Sequence, residues 1–243
     1  VADPQPANAA AATARNNLIL RVISSAVLAP LAIAAAYVGG TVYAIFWIAA
    51  SAIVLWEWAR LVTGARLRVF ALIDWLAGGV AYAGVLLFAP LILRRDPAFG
   101  LTAILFLFAI VWATDIVAYF AGRAIGGPKL WPAVSPKKTW AGALGGTLGG
   151  IVAGLLTVKL MGLSVTPTLI VVACILSMVA QGGDLLESSI KRHFGAKDAS
   201  QLIPGHGGLM DRLDGFLTAV AAAVMVGLLR GGLDGPARGL LIW

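Results

Sequence analysis

The sequence predicts an all-α integral membrane protein, a polytopic bundle of about seven to eight transmembrane helices with a polar cavity at its cytoplasmic side. Three observations predict it. The 243 residues are 60% hydrophobic and only 12% charged, with a mean hydropathy of +0.93, whereas ordinary soluble domains carry roughly a quarter charged residues. Such a chain has too little polar surface to cover itself in water. The apolar residues fall into runs of about 20, the length that crosses a bilayer as a helix. The polar residues that remain are gathered into a few short segments, above all ESSIKRHFGAKDASQLIPGHGGLMDRLDG at 187–215.

Taken in order, residues 1–17 (VADPQPANAAAATARNN) read as a disordered N-terminal tail. Residues 18–243 read as a single transmembrane domain, with spans expected at 18–38, 42–62, 70–92, 100–122, 141–161, 167–188 and 212–230. A break at Gly78-Gly79 in the third would add an eighth helix. Cys174 is the only cysteine and sits in an apolar run, which excludes a disulfide framework and a cysteine-based metal site.

The net charge of +7 would point to nucleic acid in a soluble protein. Here it reads as basic cytoplasmic loops, and no nucleic-acid partner is expected. With the N-terminus inside, Arg15, Arg60, Arg66, Arg68, Arg123, Lys129, Lys137, Lys138, Lys191, Arg192 and Lys197 fall on the inner side. Arg94, Arg95, Arg230 and Arg238 fall outside, with Lys159 near an outer end. The polar loops 123–140 and 189–211 then both face the cytoplasm.

Ionisable residues within a span carry a functional reading by default, because a charge there is costly. Asp115, Tyr119 and Gly122 share one face near the inner end of the fourth span. Asp184, Glu187, Ser188 and Lys191 share one at the end of the sixth, so these acids and the lysine can point into a common polar cavity. Glu57 and Asp74, each isolated and close to other charges, read instead as helix-end charges at headgroup level. In LWPAVSPKKTW, Pro136 reads as the start of a turn or helix, and Lys137-Lys138 as adjacent cations suited to phosphate oxygens. Gly142, Gly146, Gly150 and Gly154 form a stripe that reads as close helix packing.

Within 187–215 there is no Ser-His-Asp order, no zinc-type spacing and no P-loop. Asp184, Asp211 and Asp214 could hold Mg²⁺, which favours a few carboxylates together with substrate phosphates. Lys191, Arg192, Lys197 and Arg212 could neutralise phosphate, and Gly205, Gly207 and Gly208 would let backbone N–H groups approach an anion. This inventory fits phosphoryl or nucleotidyl transfer, in which positioning and charge stabilisation supply most of the catalysis.

Ser188, Ile190, Lys191-Arg192, Lys197-Asp198, Ser200, Ile203-Pro204, His206-Gly207-Gly208, Asp211-Arg212 and Asp214 together resemble the signature of the phosphatidate cytidylyltransferases, or CDP-diacylglycerol synthases. DIVAYFAGRAIG, SPKKTWAG and GDLLESSIKR extend the resemblance to roughly 110–215. Ala141 departs from the pattern, which often has an acid after the Trp, so no role is carried to it.

The resemblance implies a single catalytic domain that makes CDP-diacylglycerol and pyrophosphate from CTP and phosphatidic acid. It also implies dependence on Mg²⁺, alone or with a second cation in the same site. Asp184 and Asp211 would be the main metal ligands, supported by Glu187, Asp214 and Asp115. Lys138 and Lys191 would act with them in catalysis. Ser135, Lys137, Lys138, Tyr119, Ser188, Lys191, Arg192, Lys197, His206, Gly207, Gly208 and Arg212 would contact substrates. A homodimer in a bacterial inner membrane is implied too, with the glycine-stripe helix as its contact and the site at the cytoplasmic face. Two alternatives stand beside it: a CTP-dependent lipid alcohol kinase, which needs a base, and an ion-coupled transporter, which needs polar residues at mid-membrane.

Overall fold

In hydrocarbon every backbone N–H and C=O must be bonded within the protein, so apolar runs of this length are held as helices. The computed structural model describes residues 24, 26–65, 67–203 and 207–243. Among them run α1 (Ala26–Val38), α2 (Gly40–Thr63), α3 (Val69–Arg94) and α4 (Gly100–Ile125). A hairpin of β1 (Lys129–Trp131) and β2 (Ser135–Thr139) follows, then α5 (Trp140–Leu160), α6 (Pro167–His193), α7 (Met210–Gly231) and the short α8 (Pro236–Leu241). The six helices α2 to α7 are each long and apolar enough to cross a membrane, and the expected polytopic bundle is what forms. The tail 1–17 and the first residues of the expected 18–38 span lie outside the described residues; α1 is the remainder of that span.

The third span does not break. A Cβ on Gly79 would stand 2.7 Å from the Trp58 indole nitrogen, so the glycine pair admits a tryptophan rather than a bend. That indole then donates to the carbonyl of Trp75 at 2.7 Å, joining α2 to α3. The loop 123–140 is also more ordered than its composition suggests. Lys129 pairs with Thr139 and Trp131 with Ser135. The turn precedes Pro136, with the Val134 N–H donating to the Trp131 carbonyl at 3.2 Å, so the reading of Pro136 as a turn or helix start is corrected. A strand with one neighbour tolerates a residue that has no N–H to give.

The glycine stripe does pack helices closely. A Cβ at Gly146 would lie 2.7 Å from the Thr114 carbonyl, and one at Gly154 2.7 Å from Ile110 Cγ1, both on α4. The stripe is therefore spent inside the chain, against α4. The outward face of α5 shows Leu144, Leu148, Val152 and Leu156, all exposed, as a lipid-facing surface should. Inside, Trp47 stacks on Phe216 with centroids 5.1 Å apart, and Phe216 meets Phe108 at 5.2 Å.

The two ends of the bundle differ. At one, Arg94 Nε donates to the Ala36 carbonyl at 2.8 Å, tying the last turns of α1 and α3. At the other, Trp75 packs on His193 and Phe194 at 5.2 and 4.9 Å, and the hairpin, the end of α6 and the start of α7 come together. The polar segments of the sequence therefore share one end.

Candidate active site

Helical spacing puts Asp184, Glu187, Ser188 and Lys191 on one face of the last turns of α6. Small residues then let α7 approach that face. A Cβ on Gly183 would sit 2.7 Å from the Asp214 carbonyl, and one on Gly215 3.1 Å from the Ala180 carbonyl. The approach brings oxygens of Asp184, Glu187 and Asp214 within 4.8 Å of one another.

Three carboxylates this close need positive charge between or beside them. Lys138, from β2, ion-pairs with Asp184, whose Oδ1 also accepts from Ser188 Oγ at 3.4 Å. Lys191, only 7% exposed, reaches Glu187 Oε2 at 2.6 Å and pairs with Asp211. Glu187 is 1% exposed, and neither of its oxygens receives a well-directed hydrogen bond. A buried carboxylate whose described cation partner is Lys191, standing beside two more acids, fits a metal ion, since hard cations take oxygen ligands. Asp184, Glu187 and Asp214 could hold one.

Asp211 faces another way. Its Oδ2 accepts from the Ala199 N–H at 3.0 Å and the Gly208 N–H at 2.7 Å, while Oδ1 takes Lys191. It thus holds the α6–α7 loop from within. The glycines follow from this. Gly207 has φ +85°, and a Cβ there would stand 2.9 Å from Asp211 Oδ2; one on Gly208 would stand 2.6 Å from Glu57 Oε1. The anions these glycines approach are the protein's own carboxylates, and the Gly208 N–H is occupied by one of them.

Glu57 is the residue that sequence reasoning missed. It is not a headgroup-level charge: it is 0% exposed and crosses from α2 to the far segment. Oε1 accepts from Ser200 Oγ at 2.5 Å and the Leu209 N–H at 2.9 Å, and Oε2 accepts from the Met210 N–H at 2.7 Å. The signal was present as an acid inside the apolar run VLWEWARL, where a charge calls for a partner. Asp74 is exposed, in keeping with its reading.

The remaining expected residues divide. Asp115, accessible at the bundle surface, lies in electrostatic range of Asp184, Lys138 and Arg212. Arg212 and Lys137 are exposed, and Ser135 is half-buried in β2. Tyr119 is 60% exposed and accepts from Arg123 at 3.3 Å. Arg192 is spent on the Ala196 carbonyl at 2.8 Å. Lys197 lines a separate open groove of about 770 Å³ with Trp56, Arg60 and Ser200. His206 lies outside the described residues.

The family model for the cytidylyltransferase family matches residues 68–229. The chain belongs to that family. A phosphatidate cytidylyltransferase of Brucella suis biovar 1 (strain 1330) is 38% identical over 262 residues, covering 91% of this chain and 97% of the relative. One of Brucella abortus biovar 1 (strain 9-941) is 39% identical over 255 residues, covering 88% and 94%. A third, of Staphylococcus epidermidis (strain ATCC 12228 / FDA PCI 1200), is 49% identical over 119 residues, or 49% of this chain and 46% of the relative. The family's match takes in the signature, the hairpin and the acids of α4, α6 and α7, while α2 and Glu57 lie before it.

Proposed function

We infer that the chain is a phosphatidate cytidylyltransferase: it transfers the cytidylyl group of CTP to phosphatidic acid, giving CDP-diacylglycerol and pyrophosphate. The observation that carries this reading is the meeting of Asp184, Glu187 and Asp214 within 4.8 Å at the helix ends, in a chain that belongs to the family. A site at that depth is open to a lipid headgroup and to a water-borne nucleotide together. The basic loops support placing this end at the cytoplasmic face, in a bacterial inner membrane.

Asp184, Glu187 and Asp214 would hold Mg²⁺, with Asp115 beside them. When bound, the ion supplies positive charge to the triphosphate oxygens. A phosphatidate oxygen attacks the α-phosphorus of CTP, the new P–O bond forms, and the bond to pyrophosphate breaks. The phosphate monoester is already ionised at neutral pH, so the attack requires no general base. Lys138, partly exposed beside Asp184, Lys137 and Arg212 bind phosphate oxygens as charge gathers on the leaving group. Lys191 holds Glu187 and Asp211 in register rather than reaching far into solvent. Asp211 shapes the loop that leads into α7. The reading includes the homodimer, with its contact on a face other than the glycine stripe.

The test is direct. Full-length protein purified in detergent, given CTP, phosphatidic acid and Mg²⁺, forms CDP-diacylglycerol and pyrophosphate, and a chelator stops turnover until Mg²⁺ is returned. A folded preparation that yields no CDP-diacylglycerol overturns the reading.

A further inference from the structure

The segment 194–209 carries much of the signature yet has almost no regular structure of its own. Among its described hydrogen bonds, most come from the unit that it belongs to: Asp211 holds Ala199 and Gly208, Arg192 holds Ala196, and the Ile203 N–H meets the Gly207 carbonyl at 2.8 Å. Glu57 comes from elsewhere, 143 residues before Ser200 and 153 before Met210.

Its place there has a physical cause. The first N–H groups of a helix have no partner within it, and the helix end carries partial positive charge. α7 begins at Met210, and Leu209, in the capping position, has no side chain able to accept. Glu57 accepts from the Leu209 and Met210 N–H groups in its place. A buried carboxylate of α2 thus caps the helix that presents Asp211 and Asp214, and its third bond pins Ser200, at the edge of the groove lined by Lys197 and Arg60.

We propose that Glu57 is a positioning residue for the cytidylyl transfer: by capping α7 and pinning Ser200, it sets where Asp214 stands against Asp184 and Glu187. This rests on the reading of those three acids as the reacting centre. Glu57 itself touches no substrate. Its removal lowers turnover through the placement of α7 and leaves phosphatidate binding nearly unchanged.

Glu57→Gln is the informative variant. It keeps shape, but its amide must turn an N–H toward a backbone N–H. Measured on the full chain in detergent, kcat falls about tenfold or more, as expected for a sub-ångström displacement of reacting groups. KM for phosphatidate stays within about twofold, since a lost transition-state interaction lowers kcat without changing ground-state binding. Hydrogen exchange of the 199–212 amides rises against wild type. Turnover per folded molecule equal to wild type overturns the proposal, whatever happens to Tm, because that is the signature of a purely structural role. Should Glu57→Gln fail to fold, Ser200→Ala decides: it deletes the bond by which Glu57 pins Ser200, and unchanged kcat with unchanged exchange in 199–212 refutes the proposal. Wild type runs alongside. If wild type makes no CDP-diacylglycerol, the functional reading fails, and the exchange comparison alone judges the capping role.

Discussion

Gly183→Ala adds a single methyl group where α6 and α7 cross beside the acids. The new Cβ would lie 2.7 Å from the Asp214 carbonyl oxygen and 2.8 Å from Thr218 Cγ2, and would also strike Thr218 Oγ1. Ordinary contact begins at 3.4 Å, so the Asp214 backbone must retreat by about 0.7 Å. A backbone carbonyl cannot swing aside as a side-chain tip does, and the shift falls on the residue that carries one of the carboxylates. Overpacking of this kind costs about 1–3 kcal/mol of stability. A displacement approaching 1 Å at a reacting centre costs up to about 10²-fold in rate. Gly183→Ala should therefore remain membrane-inserted and folded while CDP-diacylglycerol formation falls between about 10- and 100-fold. Gly182→Ala is the internal control, since a Cβ there meets nothing within 4 Å. The assay follows labelled CTP into lipid product at saturating substrates. Turnover of Gly183→Ala within twofold of wild type, or equal losses in both variants, refutes the reasoning.

Two further predictions concern the lysines. Lys191→Met leaves the buried Glu187 and Asp211 without the cation they share; removing one partner of a buried ion pair costs about 3–5 kcal/mol. Thermal unfolding in detergent should show a marked drop in Tm, and a Tm within about 2 °C of wild type contradicts it. Lys138→Met frees Asp184 from its counter-charge, so the Mg²⁺ concentration for half-maximal activity should fall while kcat drops about 10²-fold, as for loss of a transition-state charge contact. An unchanged kcat removes Lys138 from phosphate binding.

Much of this was legible in local sequence. Spans follow from the transfer free energy of residues taken in runs, and that property needs no knowledge of neighbours. The face shared by Asp184, Glu187, Ser188 and Lys191 follows from helical period, and the signature follows from linear spacing. The bundle and the family accordingly stood as read. What misled was local too: Gly78-Gly79 reads as a break until Trp58 fills the space beside it. SPKKT reads as loop until β1 pairs with it.

Membrane character and the family are properties of the chain taken piece by piece, and the sequence by itself determined them. Only the tertiary structure decided which carboxylates meet. Asp211 and Asp214 sit three residues apart at the start of α7, but one turns to Lys191 and its own loop, while the other joins Asp184 and Glu187. That division depends on how closely α7 settles on α6, through Gly183 and Gly215. Glu57 depends on the fold even more: its partners lie 143 to 153 residues away. No spacing rule connects α2 to the start of α7; a buried charge finding the unpaired N–H groups of another helix does.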